Sequence, residues 1–536
     1  MSMVGGLVQY EGEVSEDRST LINDPDRILE QTINEYNLWY EGDGDGLLNF
    51  YTKQNMFDYN YEPFYSRNKR NYFWTISSTE GDIKRTHSGQ PRNIVDTLVN
   101  IMPFPQIHIG KVGDMNNPLE VRLSDIIKYS GLKNIYKQEQ MPLTMVEGWG
   151  CYKINWDLDI SDYPILVYYR ATNVDFVYKM NKIIGIVFRD YYVTEKDKRY
   201  MLEETRRIAN DPKTGQRMLI IEKELFKANK HNQYVEKVDF SEVKQLSDVI
   251  DYIEISNCDI LLAEPAIFFK DTSPLGGYGR SIFAGKIDLF DDLDQCLSQE
   301  SNSIRKSTPI EYIDTEYLER DQNGLPKQPR AYDRKYTMYR GARDTDGNNK
   351  SMPVQTTQPN INFEQYSTAA ISILLQILNG IISPATFGID IAKKDNAEAQ
   401  REKEKVTIFT RNGITDVETE ILDNLCSQLL CAYEFMHTGE IKQHHYDISV
   451  QFSEFADDSY ENKLQVLGQA YDSEIISDRM FMKKLYGDTL SKEEFEEELK
   501  WLKEHHTLPR DQGMKGILGG GKNIEGMFDD DSEEEI

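Results

Sequence analysis

The sequence predicts an α+β fold, on three observations. Segments rich in β-branched and aromatic residues fill 150–269. Two helical apolar stripes follow, at Ser281–Lys306 and Asn362–Ser383. A short β-prone insert, Thr308–Thr357, separates the stripes. The second stripe runs into Ile382-Ser-Pro-Ala-Thr-Phe-Gly-Ile-Asp390, and a third, longer helical pattern succeeds it. Helix, small exposed module, returning helix, loop and long helix is an unusual order for an enzyme. It suits a subunit that projects a module from a wall of helices, as in a ring around a channel.

Composition bounds the alternatives. The 536 residues suffice for a substantial core and suggest several domains. With 39% hydrophobic and 11% aromatic residues the chain is too apolar to be disordered throughout. No apolar run approaches the roughly 20 residues that span a bilayer, and the start lacks the pattern of a signal peptide. Cys151, Cys258, Cys296, Cys426 and Cys431 are odd in number and lack CxxC spacing, which predicts a reduced, intracellular assembly site, and Cys426 and Cys431, in a helical pattern, read as small core residues. The net charge of −29 argues against nonspecific affinity for nucleic acid. It is compatible with a passage along which DNA slides without being held.

In chain order, residues 1–24 read as a loose arm and Asp24–Trp39 as a helix with an acidic first turn. Asn93–Met102 reads as a short helix ended by Pro103 and Pro105, and Gln106–Gly110 as a strand. Strands are expected at Gly150–Trp156, Ile165–Arg170, Val174–Tyr178, Ile183–Val193, Met218–Phe226 and Ile260–Phe269. Met180-Asn-Lys182 supplies a hairpin turn, and Pro265 demotes the last strand to an edge or a bulge.

Phe283, Ile287, Phe290, Leu293 and Leu297 define one face of the first stripe. Asp288, Asp291, Asp292 and Asp294 fill much of the remainder. Phe363, Tyr366, Ala370, Ile373, Ile377 and Ile381 define the second stripe. The insert holds candidate strands Ile310–Ile313, Lys335–Tyr339 and Val354–Thr357, with turns at Asn323-Gly324 and Asp346-Gly347. Residues 396–437 form the third helical pattern, and Asn412-Gly413 should kink it. A strand at Asp447–Phe452 and closing helices near 460–486 and 491–505 complete the order. Ser491 and Glu494 form a capping box, and the acidic, Gly-rich tail reads as disordered.

The sequence's partial matches to catalytic and metal-binding motifs are all incomplete. Gly516–Lys522 has P-loop spacing, but Asn523 stands where Ser or Thr should hold Mg²⁺ and no strand precedes it. Asp344–Asn349 departs from a calcium loop at Asn349 and Gln355. His437, His444, His445, His505 and His506 lack zinc spacing, and there is no GxSxG elbow. No catalytic, metal or cofactor site is therefore expected. One local signal stands out. Between Arg320 and Arg343 lie seven basic residues against two acidic ones, a basic module inside an acidic chain. It could meet an acidic partner surface or DNA phosphates. Lys393 and Lys394, in the loop after the second stripe, are a weaker pair.

The run Ala263-Glu-Pro-Ala-Ile-Phe-Phe-Lys-Asp271, then Gly279-Arg-Ser-Ile-Phe and Ile287–Asp294, resembles the portal proteins of tailed bacteriophages. So does Asn379-Gly-Ile-Ile-Ser-Pro-Ala-Thr-Phe-Gly388 followed by Asn396-Ala-Glu-Ala399. The similarity is one of order and local pattern over roughly residues 25–510. It implies a portal fold: wing at 25–280 and 396–455, stem helices at 281–306 and 362–383, clip at 307–361, tunnel loop at 384–395, crown at 456–508 and a tail at 509–536. It also implies a ring, usually dodecameric, at one capsid vertex of a virion assembled in the host cytoplasm. Double-stranded DNA would pass through it. Partners would be the major capsid protein and scaffold, the terminase motor and then the head–tail adaptor.

On that resemblance Arg330, Arg334, Lys335 and Arg340 would contact the clip's partners, and Lys393 and Lys394 would lie near DNA. The aspartates of the first stem helix would give a lumen that repels phosphates. Two rivals remain open at this point. One is another minor head or scaffold protein of a virion. The other is a metal-dependent nucleic-acid-processing enzyme.

Overall fold

The computed structural model describes residues 25–57, 72–75, 83–109, 118–194, 198–210, 215–229, 234–247, 249–272, 277–307, 310–315, 318, 320–326, 335–339, 354–358, 363–389, 397–453, 467, 480–482 and 492–505. The chain divides into two compact units at Ser453/Glu454. The first is mixed helix and sheet. Its helices α1 (Pro25–Glu41), α2 (Gly44–Phe57) and α3 (Gln90–Asn100) precede the strand β1 (Gln106–Ile109). Pro91 sits in the first turn of α3, where its missing N–H costs nothing. Helices α4 (Pro118–Tyr129), α5 (Leu132–Ile135) and α6 (Met141–Glu147) follow, with a π-helical turn at Tyr136–Gln140.

Strands β2 (Trp149–Asn155) and β3 (Ile165–Arg170) pair antiparallel. The chain then makes a meander of β4 (Val174–Lys179), β5 (Lys182–Val193), β6 (Arg199–Asn210), β7 (Arg217–Ala228), β8 (Tyr234–Val238) and β9 (Tyr252–Ser256). Neighbours run in the order β4-β5-β6-β7-β8, and β9 pairs with β7 beyond β8. Met180 and Asn181 both take left-handed φ, 50° and 61°, as a two-residue hairpin turn of this twist requires. The chain returns as β10 (Ala263–Ile267) on the edge beside β2, where Pro265 has no ladder donor to lose. The expected Ile260–Phe269 strand is thus shorter than its apolar run.

β6 was not foreseen, because five of its twelve residues are charged. It is nevertheless internal to its sheet. Arg206, buried to 2% exposure, donates to Glu204, to the Ile154 and Leu262 carbonyls and to Asn155. Burial alone would raise Glu204, but Arg206, Lys153 and Lys223 together hold its carboxyl down to about 2. Satisfied in this way, the charges join β6 to the β2–β10 sheet instead of excluding it from the core.

Three further helices carry the unit onward: α7 (Ile287–Lys306), α8 (Phe363–Leu378) and α9 (Ala397–Thr438). Between α7 and α8 lie β11 (Ile310–Asp314), β12 (Lys335–Tyr339) and β13 (Val354–Thr357), in the order β12-β11-β13 with β11 and β12 parallel. After α9, β14 (Ile448–Gln451) pairs with β1.

Two helix ends differ from expectation. Ser281–Lys286 is a pair of turns, with Ala284 and Lys286 N–H bonded to Ser281 and Phe283 carbonyls and Gly285 at φ +75°. Gly380, at φ +79°, follows the end of α8 as a left-handed terminating residue. Asn412-Gly413 does not interrupt α9, which stays helical for 42 residues. All five cysteines are free and buried. In the second unit the described helix is α10 (Lys492–His505). Ser491 lies outside the described residues, as do the P-loop-like and calcium-loop-like stretches. No described helix is long and apolar enough to cross a membrane.

Candidate functional site

The site that sequence order singled out is the α7–α8 pair, the sheet module it carries and the loop that follows. Phe290, Leu293 and Leu297 of α7 pack in the same core as Ala370, Ile373, Leu374 and Ile377 of α8. Cys296 Sγ donates to the Tyr366 carbonyl at 3.4 Å, and Lys286 Nζ donates to the carbonyls of Gln376 and Asn379 at 2.9 and 3.0 Å. A lysine just before α7 therefore caps the C-terminal end of α8, where the helix dipole favours a cation. At the usual rise α7 is about 30 Å long and α8 about 24 Å.

Two of the four aspartates of α7, Asp291 and Asp294, are buried in contacts with earlier segments. Asp291 accepts the backbone N–H of Phe73 at 2.8 Å and of Trp74 at 3.4 Å. Asp294 accepts Trp74 Nε1 at 3.1 Å and Ser88 N at 2.8 Å, and meets His87 Nδ1 at 2.7 Å. Asp288 accepts the Tyr72 hydroxyl, and Ser298 accepts Thr86 N. Asp291 and Asp294 are buried, at 4% and 0% exposure, whereas Asp288 and Asp292 are exposed. Burial raises Asp291 to about 7 despite the two backbone donors. The expectation of an acidic lumen face is corrected for this buried pair: two of the four aspartates clamp segments 73–74 and 87–88 onto α7.

The outer side of α8 is unlike the rest of this charged chain. Ile371 and Leu375 are 48% and 39% exposed on the side away from α7, and Phe363, on the same stripe as Ala370 and Ile377, is 52% exposed because it opens the helix. Glu364 is the single charged side chain in the 16 residues of α8. After α8, Ser383 and Thr407 exchange hydrogen bonds, Ser383 N to Thr407 Oγ1 at 2.8 Å and Thr407 N to Ser383 Oγ at 3.3 Å. Thr386 Oγ1 joins them at 2.9 Å. The loop is thereby fixed to α9 at its first residues. Sequence reading missed these anchors, because single hydroxyls 24 residues apart carry no pattern.

Of the residues expected to make contacts, Arg330, Arg334, Arg340, Lys393 and Lys394 lie outside the described residues. Lys335 opens β12, paired to Ile310, and its side chain is likewise not described. Arg320 is described. It flanks a tight turn in which Asp321 accepts Asn323 N and Leu325 N at 2.9 and 2.8 Å. Among the described residues no group of three or more His, Cys, Asp or Glu side chains could hold a metal ion. His444 pairs with Asp259 at 2.9 Å.

No protein-family model matches the chain, and no curated protein matches it. One similar solved structure is described as the neck of an empty GTA particle computed with C6 symmetry. The likeness has a TM-score of 0.34 and 10% identity over 72% of this chain and 85% of that chain.

Proposed function

We propose that this chain is a portal subunit of the tailed-bacteriophage kind. Copies of it would form a ring at one capsid vertex, through which double-stranded DNA is packaged and later ejected, without catalysis by the chain itself. The observation that carries the reading is the antiparallel α7–α8 pair. It ends in a separate three-stranded sheet, and α8 leaves Ile371 and Leu375 uncovered on an outer face whose single charge is Glu364 in the first turn. In a chain with 28% charged residues, such a face is what side-by-side packing against a neighbouring copy requires. A head-to-tail contact of that kind closes into a ring when its rotation permits.

In this reading the β11–β13 module is the clip that docks the terminase motor and then the head–tail adaptor. Arg330, Arg334, Lys335 and Arg340 are its contact residues. The loop anchored at Ser383 and Thr386 carries Lys393 and Lys394 towards the DNA. Capsid protein and scaffold surround the ring in the virion.

Native mass spectrometry with negative-stain imaging tests the reading. Rings with an axial hole are expected. A chain that stays monomeric at high concentration and in assembly extracts would sink it, and a closed oligomer without a hole would favour a scaffold or minor head protein.

A further inference from the structure

Elements other than α7 and α8 place a row of aromatic rings at the surface of the first unit. Tyr129, at the end of α4, stacks on Tyr163 with centroids 4.6 Å apart and 17° between planes. Tyr163 meets Tyr433 of α9 at 5.9 Å, and Tyr433 meets His437 at 4.4 Å. Beside the row, Leu158 and Ile160 are 56% and 74% exposed, and Tyr129 itself is 58% exposed. They are not on a loose end. Asp157 accepts Asp159 N through Oδ1, its carbonyl accepts Ile160 N and Ser161 N, and His437 Nε2 lies 3.2 Å from the Asp162 carbonyl.

The charges around this patch restrict what can cover it. Arg122 lies over the Tyr433 ring and Lys128 over the Tyr129 ring, each at 5.2 Å, so one face of each ring already has its cation. The Tyr163 phenol is pushed up by partial burial and then by the nearby Asp125 and Asp162 carboxylates. Asp157 and Asp159 add two more in the turn that presents Leu158 and Ile160. No salt bridge among the described residues engages these four carboxylates.

We infer that this surface docks a polypeptide segment of another protein, one with basic residues interspersed among aliphatic ones. Aliphatic side chains cover Leu158, Ile160 and the Tyr129 edge, while arginine or lysine reaches Asp125, Asp159 and Asp162. Nucleic acid fits poorly, because its phosphates would face four carboxylates. A symmetric contact with a second copy would set the same four carboxylates against themselves.

The test titrates the full-length protein with a short peptide of alternating arginine and leucine, and with a counterpart carrying glutamate for arginine. Fluorescence anisotropy is read at about 0.15 M salt. The arginine peptide binds and the glutamate peptide does not. Tyr129→Ser with Ile160→Ser weakens binding at least about tenfold. Asp125→Asn with Asp162→Asn also weakens it and flattens its salt dependence. Circular dichroism checks that these surface variants stay folded. Four results would overturn the proposal: no binding of the arginine peptide; equal binding by parent and variants, which is diffuse attraction to a −29 chain; binding of a DNA duplex lost on the same substitutions; or self-association abolished by Tyr129→Ser with Ile160→Ser.

Discussion

Glu418 of α9 has no exposed surface, and its one hydrogen bond among the described residues comes from Gln140 Nε2 at 2.9 Å. Its second oxygen and Gln140 Oε1 are both buried without partners. Desolvation raises the carboxyl to about 8 in spite of the Gln140 donor, and nearby Glu264, itself at about 8, adds to the rise. The sign of the linkage follows. Below the unfolded value near 4.5 both states hold the proton and pH has no effect through this group. Between there and about 8 the unfolded chain gives the proton up while the folded chain keeps it. Stability therefore falls as pH rises across that window, by about 1.4 kcal/mol per unit, and levels off above it. Glu418→Gln removes the titration, and its amide has a donor to offer the lone Gln140 Oε1. The variant should match or exceed the parent at pH 8, with an advantage that shrinks toward pH 5. Thermal unfolding across that range measures it, and an advantage that does not vary with pH would refute the buried neutral acid.

At the scale of elements, the joint between loop and long helix is the sharpest case. Thr407, fully buried, is the acceptor for Ser383 N and a partner of Thr386. Thr407→Val keeps the shape but leaves a buried N–H without an acceptor, so a loss of about 1–3 kcal/mol is expected in urea unfolding. Protease cleavage within 384–395 should accelerate in the variant. Unchanged cleavage would mean that α9 does not hold the loop through this residue.

The sequence showed where most of these elements lie, because their signals are local: the 3.6-residue stripe of α7, the β-branched runs of β2, β3 and β5, the Met180–Asn181 turn. It failed where the deciding partner is distant. Asp288, Asp291 and Asp294 of α7 face segments more than 200 residues earlier in the chain, so they read as a free acidic face. β6 went unassigned for the same reason. Yet its alternation of Tyr200, Leu202, Glu204 and Arg206 was a usable period-2 signal that two charges shared the buried face. The outer face of α8 was partly legible as a scarcity of charge, Glu364 being the single charged residue of the helix. Phe363 keeps its place in the stripe with Ala370 and Ile377 but is exposed, because it stands at the first position of the helix.

For the whole molecule, the portal reading gives assembly to the outer face of α8 and docking to the β11–β13 module, and two sets of substitutions separate them experimentally. Ile371→Asp with Leu375→Asp places charge on the exposed side of α8 and leaves the α7-facing residues Ala370, Ile373 and Ile377 intact. In the portal reading such a subunit stays folded by circular dichroism and appears as monomer by native mass spectrometry, since two carboxylates would be desolvated at each contact with a neighbour. Neutralising Arg334, Lys335 and Arg340 together should do the reverse: rings form, and binding of the packaging motor or the adaptor weakens. If the aspartate pair leaves rings intact, α8 is not a wall between copies and the portal reading loses its main support. If the neutralised module binds its partners as the parent does, the ring survives as a proposal but the basic stretch is not its docking face.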